Sequence, residues 1–175
     1  GLGRHGMRYA HHLLEPLPEA RLVAVCRRDA VHGAAFAAEH RVRFHQDYHQ
    51  LIADPGVEAL VVVTPPALTR PICLEAVRRR KPMLIEKPLA TTGADARVMV
   101  QAAAGAGIPL MTAHTVRYET ALLALRHELE SVGARRYLVL SNRVEPGPDV
   151  LRNPTDYAGR GVLLETGIHL LDLVR

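Results

Sequence analysis

Ala59-Leu60-Val61-Val62-Val63-Thr64-Pro65-Pro66 is an unbroken apolar run closed by a threonine and two prolines. A run of this length and β-branched content fits a strand buried on both faces, as the strands of parallel sheets are. The prolines stop the strand and lead into a helix. Upstream, Asp47 opens a short helix with Leu51 and Ile52 on one face, stopped by Asp54-Pro55-Gly56. Before it, residues 42–44 fit a very short strand, Asp29 caps a helix through Ala38, and residues 22–26 form an apolar β-type run. The chain opens with Gly1-Leu2-Gly3-Arg4-His5-Gly6, which leads into a helical pattern through about Leu14, ended by Pro16 and Pro18. Downstream, a helix runs to Arg80, a strand spans 83–85, a helix spans 92–105 with Gly107 as its stop, and a strand spans 108–113. Strands alternating with helices of these lengths predict an α/β fold, a doubly wound parallel sheet of Rossmann type. The pattern changes after Ala113. Residues 116–132 read as one helix, 137–142 as a strand, 144–161 as a long loop rich in Pro and Gly, and 162–174 as a final helix.

The 175 residues are 48% hydrophobic and 23% charged, the balance of an ordinary globular protein. No apolar run reaches the roughly 20 residues needed to span a bilayer, and no signal-peptide pattern opens the chain. These features predict no membrane partner and a cytoplasmic protein. Cys26 and Cys73 fall in a predicted strand and helix, which suits reduced thiols. The net charge of +4 is scattered apart from Arg78-Arg79-Arg80-Lys81. Those cations read as a solvated helix end favoured by the helix dipole, not as a nucleic-acid patch. Aromatic residues are 4% and Trp is absent, which also argues against stacking on nucleic acid. Among ten histidines, His45 and His49 could share a helix face, but no Cys or acidic cluster completes a ligand set, so no metal is expected.

Three constellations carry chemistry. Gly1, Gly3 and Gly6 fit G-x-G-x-x-G, whose glycines allow a tight turn, backbone approach to a pyrophosphate, and close helix–strand packing. The helix that follows presents its positive end to the phosphates, so Gly1, Gly3, Arg4, His5 and Gly6 are candidate cofactor contacts. The ribose-reading position after the next strand carries Arg27 and Arg28 where an acidic residue would suit NAD. Two guanidiniums suit a 2′-phosphate and favour NADP(H), with NAD(H) possible. Second, Glu86-Lys87-Pro88 ends a strand where open α/β sheets bind ligands. Third, Glu165 and His169 are four apart and share a helix face, a pairing that can ready an imidazole for proton transfer. Asp172, three residues on, fits a structural hydrogen bond better than chemistry.

With Thr64-Pro65-Pro66 added to these segments, the chain resembles the glucose–fructose oxidoreductase / inositol dehydrogenase (Gfo/Idh/MocA) family over essentially its whole length. The resemblance implies a Rossmann domain at 1–113 and, at 114–175, the beginning of an α/β substrate and oligomerisation domain with a mostly antiparallel sheet. It implies hydride transfer between a nicotinamide cofactor and a hydroxyl or carbonyl carbon of a sugar, inositol or related polyol. Thr64, Pro65, Pro66, Glu86 and Lys87 join the cofactor contacts. Lys87 becomes a catalytic lysine and His169 the acid–base residue, with Glu165 where the family usually has aspartate. Arg117 and Tyr118 align with an Arg-Phe segment and, with Arg152 and Tyr157 of the long loop, are candidate substrate contacts. Thr115 and Thr69 stand where asparagine and histidine are common.

Family members are about twice this length, so the sequence is expected to be a fragment, inactive by itself and a homo-oligomer when complete. A first strand between the second and fourth strands is expected to be missing, which would leave two strand edges unpaired. Two other readings use the same features: a non-catalytic dinucleotide sensor of this fold, and an interaction protein.

Overall fold

A computed structural model describes residues 1–133, 139, 141 and 166–174. The chain divides into two units, Gly1–Thr112 and Ala113–Arg175. In the first, helices and strands alternate: α1 (Arg4–Leu14), β1 (Ala24–Cys26), α2 (Ala30–His40), β2 (Arg43–His45), α3 (Tyr48–Ala53), β3 (Leu60–Val62), α4 (Pro66–Arg78), β4 (Met83–Glu86), α5 (Gly93–Gly105) and β5 (Leu110–Ala113). Local chemistry sets the helix starts. The Asp29, Asp47 and Thr92 side chains accept from the backbone N–H groups of His32, His49 and Asp95, satisfying donors that have no partner within the helix. Pro66 opens α4, where a missing N–H costs nothing.

The strands pair in parallel. Ala24, Val25 and Cys26 face Arg43, Phe44 and His45. Leu60, Val61 and Val62 face Met83, Leu84 and Ile85, and β5 lies beside β4. The sheet is in two pieces, β1–β2 and β3–β4–β5. Residues of both pieces, Ala24 and Val25 with Leu60 and Val61, line a cavity of about 130 Å³ together with Ala10 and Leu13 of α1. This placement corrects one expectation. Leu60 and Val62 are buried, but Val61 is 36% exposed, so the valine run is not covered on both sides.

Ile85, Cys73, Ala76 and Met99 are fully buried where α4 packs on β4 and α5 on α4. Full burial of a side chain such as Ile85 contributes about 1.5–3 kcal/mol. A second core joins Leu2, Ala10, Val25, Phe36 and Ala37. Gly33 lets α2 lie on β2, since a Cβ there would fall 2.2 Å from the Phe44 ring. Both thiols are free, and burial pushes each of them up in pKa. Among the described residues no group of His, Cys, Asp and Glu could hold a metal, and no helix is long and apolar enough to cross a membrane. His45 lies on β2 and His49 on α3, so they do not share a helix face.

In the second unit, the helix expected at 116–132 is broken. A 3₁₀ turn covers Thr115–Tyr118, and α6 (Thr120–Ser131) starts after Glu119, whose backbone is extended. α7 (Ile168–Leu173) falls within the expected final helix, preceded by a π turn at 166–167. Residues 134–138, 140, 142–165 and 175 lie outside the described residues, and with them most of the expected strand at 137–142, the long loop and Gly161.

The reading of the basic run ending α4 is also corrected, because Lys81 is only 9% exposed and is no solvated helix-end cation. Its ammonium donates to the Asp54 carbonyl at 2.6 Å and the Val57 carbonyl at 2.5 Å, tying the α3–β3 loop to the start of β4. The Asp54 carboxylate accepts from Arg43 Nε at 2.7 Å and from the Gly56 N–H at 2.8 Å, and His45 Nε2 lies 3.0 Å away. Lys81→Met leaves two inward carbonyls without their charged donor and should destabilise the intact protein by about 1–3 kcal/mol in urea unfolding. The Arg43 guanidinium, then His45, hold the Asp54 carboxyl down from 3.8 to about 2. A lowered folded-state value stabilises above the ordinary range, and that stabilisation is lost as pH falls from about 4 through about 2. Asp54→Asn should therefore flatten the plot of urea midpoint against pH across that window, and an unchanged slope would remove Asp54 from the acid response.

Candidate active site

The turn at the start of α1 is shaped by close approach. A Cβ on Gly6 would fall 1.7 Å from the Gly1 carbonyl oxygen, and one on Gly1 would fall 2.7 Å from the Val63 carbonyl oxygen. Gly1 and Gly6 therefore let turn, helix and β3 pack together. Gly3 differs, because a Cβ there meets nothing within 4 Å and its side of the turn is open. No side chain caps α1, and an uncapped helix start attracts an anion through its N–H groups and dipole. At the end of β3, the Thr64 hydroxyl oxygen is buried without a hydrogen-bond partner. An open glycine, an uncapped helix start and an orphaned hydroxyl fit a dinucleotide laid across the turn.

The two arginines after β1 differ in what they do. Arg27 Nη1 donates to the Leu2 carbonyl at 2.9 Å, and Nη2 lies 3.7 Å from Asp29. Arg27 thus braces the glycine turn, a role its charge and position in the sequence do not announce. Arg28 is exposed beside it, and its carbonyl accepts from Gln46.

The end of β4 is tied to α1. Glu86 has its side chain only 10% exposed. Its Oε1 accepts from the Tyr9 hydroxyl at 2.7 Å and lies 3.3 Å from His5 Nε2, while Oε2 accepts from the Lys87 N–H at 2.9 Å. Burial, then the hydrogen bond to Glu86 and its charge, push the Tyr9 phenol well above the ordinary tyrosine range. Both carboxylate oxygens are thus engaged within the protein. Lys87 is half-buried and is joined to Pro88 by a cis peptide. Behind it, the buried Thr69 hydroxyl lies 2.8 Å from the Pro66 carbonyl and 2.6 Å from the Leu89 carbonyl, pinning the segment after Lys87 to the first turn of α4. Pro66 is buried and Pro65 exposed. Tyr9 was not foreseen. Its one signal is a polar ring at i+4 from His5, on the same helix face.

The second unit gathers a separate set. Arg117 Nη2 donates to Asp172 Oδ1 at 2.5 Å, and Arg117 Nε donates to Oδ2. That fork raises the Arg117 pKa further, as bidentate carboxylate pairing does. Arg117, expected at the substrate, is thereby paired with Asp172, and Asp172 has the structural bond foreseen for it. His114 Nδ1, buried and without a hydrogen bond, lies 3.8 Å from Asp172 Oδ2. The His114 and His169 rings meet edge to face, with centroids 6.3 Å apart. Sequence reasoning missed His114. Its signal is position, since it follows β5 at a strand end where α/β sheets bind ligands. Tyr118 is 61% exposed. Glu165, Arg152 and Tyr157 lie outside the described residues.

Comparison with known proteins agrees with this picture. Residues 1–114 match the model of the Gfo/Idh/MocA oxidoreductase family, NAD-binding Rossmann fold. The chain is 34% identical to the 1,5-anhydro-D-fructose reductase of Ensifer adhaerens, over 88% of this chain and 48% of that protein. It is 32% identical to inositol 2-dehydrogenase 2 of Saccharopolyspora erythraea, over 100% of this chain and 51% of the relative. A probable dehydrogenase from Thermotoga maritima shares the fold, with a TM-score of 0.83 at 24% identity over 100% of this chain and 52% of the other. The chain thus spans about half the length of the curated relatives it matches. With the glycine turn, the parallel sheet and the Lys87 strand end in the order this family has them, the chain belongs to the Gfo/Idh/MocA oxidoreductases, whose first domain is an NAD-binding Rossmann fold.

Proposed function

We propose that the intact protein is a nicotinamide-dependent oxidoreductase acting on a hydroxyl or carbonyl carbon of a sugar, inositol or related polyol. The observation that carries this reading is the tie between the glycine turn and the strand end bearing Lys87, made by Tyr9 and Glu86. It joins the residue before a half-buried lysine to the helix that follows the glycine turn, which in this reading holds the dinucleotide. The names of the relatives, a reductase of an anhydro sugar and an inositol dehydrogenase, support the substrate class.

A dinucleotide laid across the turn would bring a nicotinamide that can supply or accept the hydride. Gly1, Gly3, Arg4, His5 and Gly6 would face the pyrophosphate, and Thr64 and Pro65 the adjoining part of the cofactor. The Lys87 ammonium stabilises negative charge on the reacting oxygen. His169 takes the hydroxyl proton during oxidation and returns it during reduction. Glu165 serves as its carboxylate partner in this reading, and Arg152, Tyr157 and Tyr118 are the remaining substrate contacts. We also propose a preference for NADP(H). Because Arg27 is drawn toward Leu2 and Asp29, the 2′-phosphate contact falls mainly to the exposed Arg28.

Fluorescence titration of the intact protein with NADPH and NADH, followed by turnover on a polyol panel, tests both statements. Lys87→Met should lower kcat by about 10²–10³, the loss seen when one oxyanion donor is removed, and leave the NADPH Kd within about threefold. NADPH binding without turnover on the panel would point instead to a dinucleotide sensor. Arg28→Ala should weaken NADPH by about tenfold or more, since one hydrogen bond to a charged group contributes about 1.5–3 kcal/mol, and barely change NADH. Arg27→Ala, which loosens the turn, should weaken both cofactors alike. Tighter NADH than NADPH binding by the unmutated protein would end the NADP(H) assignment.

A further inference from the structure

Tyr9 is a tyrosine on the dinucleotide helix whose hydroxyl is spent 77 residues away in sequence, on the carboxylate next to Lys87. The partner is Glu86 Oε1, and the other oxygen of that carboxylate holds the Lys87 N–H. The carboxylate therefore clamps two elements at once. One is the backbone that carries the lysine. The other is the face of α1 that begins in the glycine turn. His5 is four residues before Tyr9, its ring centroid 6.5 Å from the Tyr9 ring, and it reaches the same Oε1 from the exposed side. Glu86, with both oxygens facing protein donors, is thereby explained as something other than a cofactor ligand.

We propose that Tyr9 is a positioning residue for the reaction: acting through Glu86, it fixes Lys87 relative to the bound dinucleotide. The inference rests on the oxidoreductase reading above. Tyr9 touches neither cofactor nor substrate in this role. Its effect is geometric, since Lys87 follows directly on the clamped residue, and a displacement of about 1 Å at a reacting centre can cost on the order of 10²-fold in rate.

The test is a double-mutant cycle on the intact protein, with kcat and KM measured for NADPH and for a polyol substrate that the unmutated protein turns over. Tyr9→Phe removes only the hydroxyl and should lower kcat by about tenfold or more, with both KM values within about threefold. Glu86→Ala should cost at least as much. The double variant should be no worse than Glu86→Ala, because the two side chains act as one unit. Glu86→Gln keeps an acceptor oxygen for the tyrosine and should recover activity relative to Glu86→Ala. It also serves as the readout should Glu86→Ala fail to fold by circular dichroism. An unchanged kcat in Tyr9→Phe, or losses that multiply in the double variant, would overturn the coupling while leaving the oxidoreductase reading intact. Absence of polyol turnover by the unmutated protein would remove that reading, and the coupling with it.

Discussion

A carboxylate held almost out of water must find donors, because an unpaired buried charge costs far more than a buried hydrogen bond returns. Glu86 meets this constraint with three groups from two elements: the Tyr9 hydroxyl, the His5 ring and the N–H of Lys87. The consequence reaches beyond the residue itself. α1 and the end of β4 are far apart in sequence, and dispersion forces between apolar side chains do not prescribe their register. A directional bond at 2.7 Å does. The glycine turn and the lysine are thus brought into a defined relation by satisfying one charge.

Sterics do the rest around that point. Gly6 and Gly1 remove the side chains that would push α1 away from the turn and from β3. Thr69 holds the segment after Lys87 against α4 from behind. Arg27 holds the turn from the side of β1. Each of these contacts is made by a polar or minimal residue at an element end, where backbone groups are otherwise left over. The apolar core beneath them, centred on Ile85, Cys73 and Met99, supplies stability without choosing this geometry.

The alternation of helices and strands was legible because it rests on local signals. Asp29 and Asp47 cap the helices they were expected to open, since a side-chain oxygen before a helical pattern has one productive use, and Thr92, read as the first residue of its helix, is the cap of one that starts at Gly93. Strand burial was less legible. The run through Val61 reads as covered on both sides, yet Val61 borders the cavity that both sheet pieces line, and composition cannot report what lies beside a strand. Lys81 misleads for a related reason. It ends a run of cations, but the chain turns at Arg80, which has a positive φ of 56°, and the next side chain is sent inward. In the site, the residue types were legible and several of their partners were not. Charge and position assign Arg27 to a ligand, and the family resemblance assigns Arg117 to one. Tertiary structure gives one a carbonyl and the other a carboxylate, partners at distances of 25 and 55 residues that no local pattern encodes.

The two ends of β4 show how such networks divide between stability and chemistry. At its start, Lys81 spends its ammonium on two backbone carbonyls, and Asp54 nearby is surrounded by Arg43, His45 and Gly56. That cluster joins a loop to a strand and is built entirely from partners within the protein. At the other end, the Glu86 cluster is also satisfied, but its members border open features: His5 is 53% exposed, Gly3 has no neighbour over its Cα, and Lys87 is half-buried. A polar network closed on itself can only stabilise. One whose rim carries an exposed imidazole and an amine, beside an uncapped helix start, can also hold an anion and act on the group attached to it. The chemistry proposed for the intact protein draws on that asymmetry along four residues of strand.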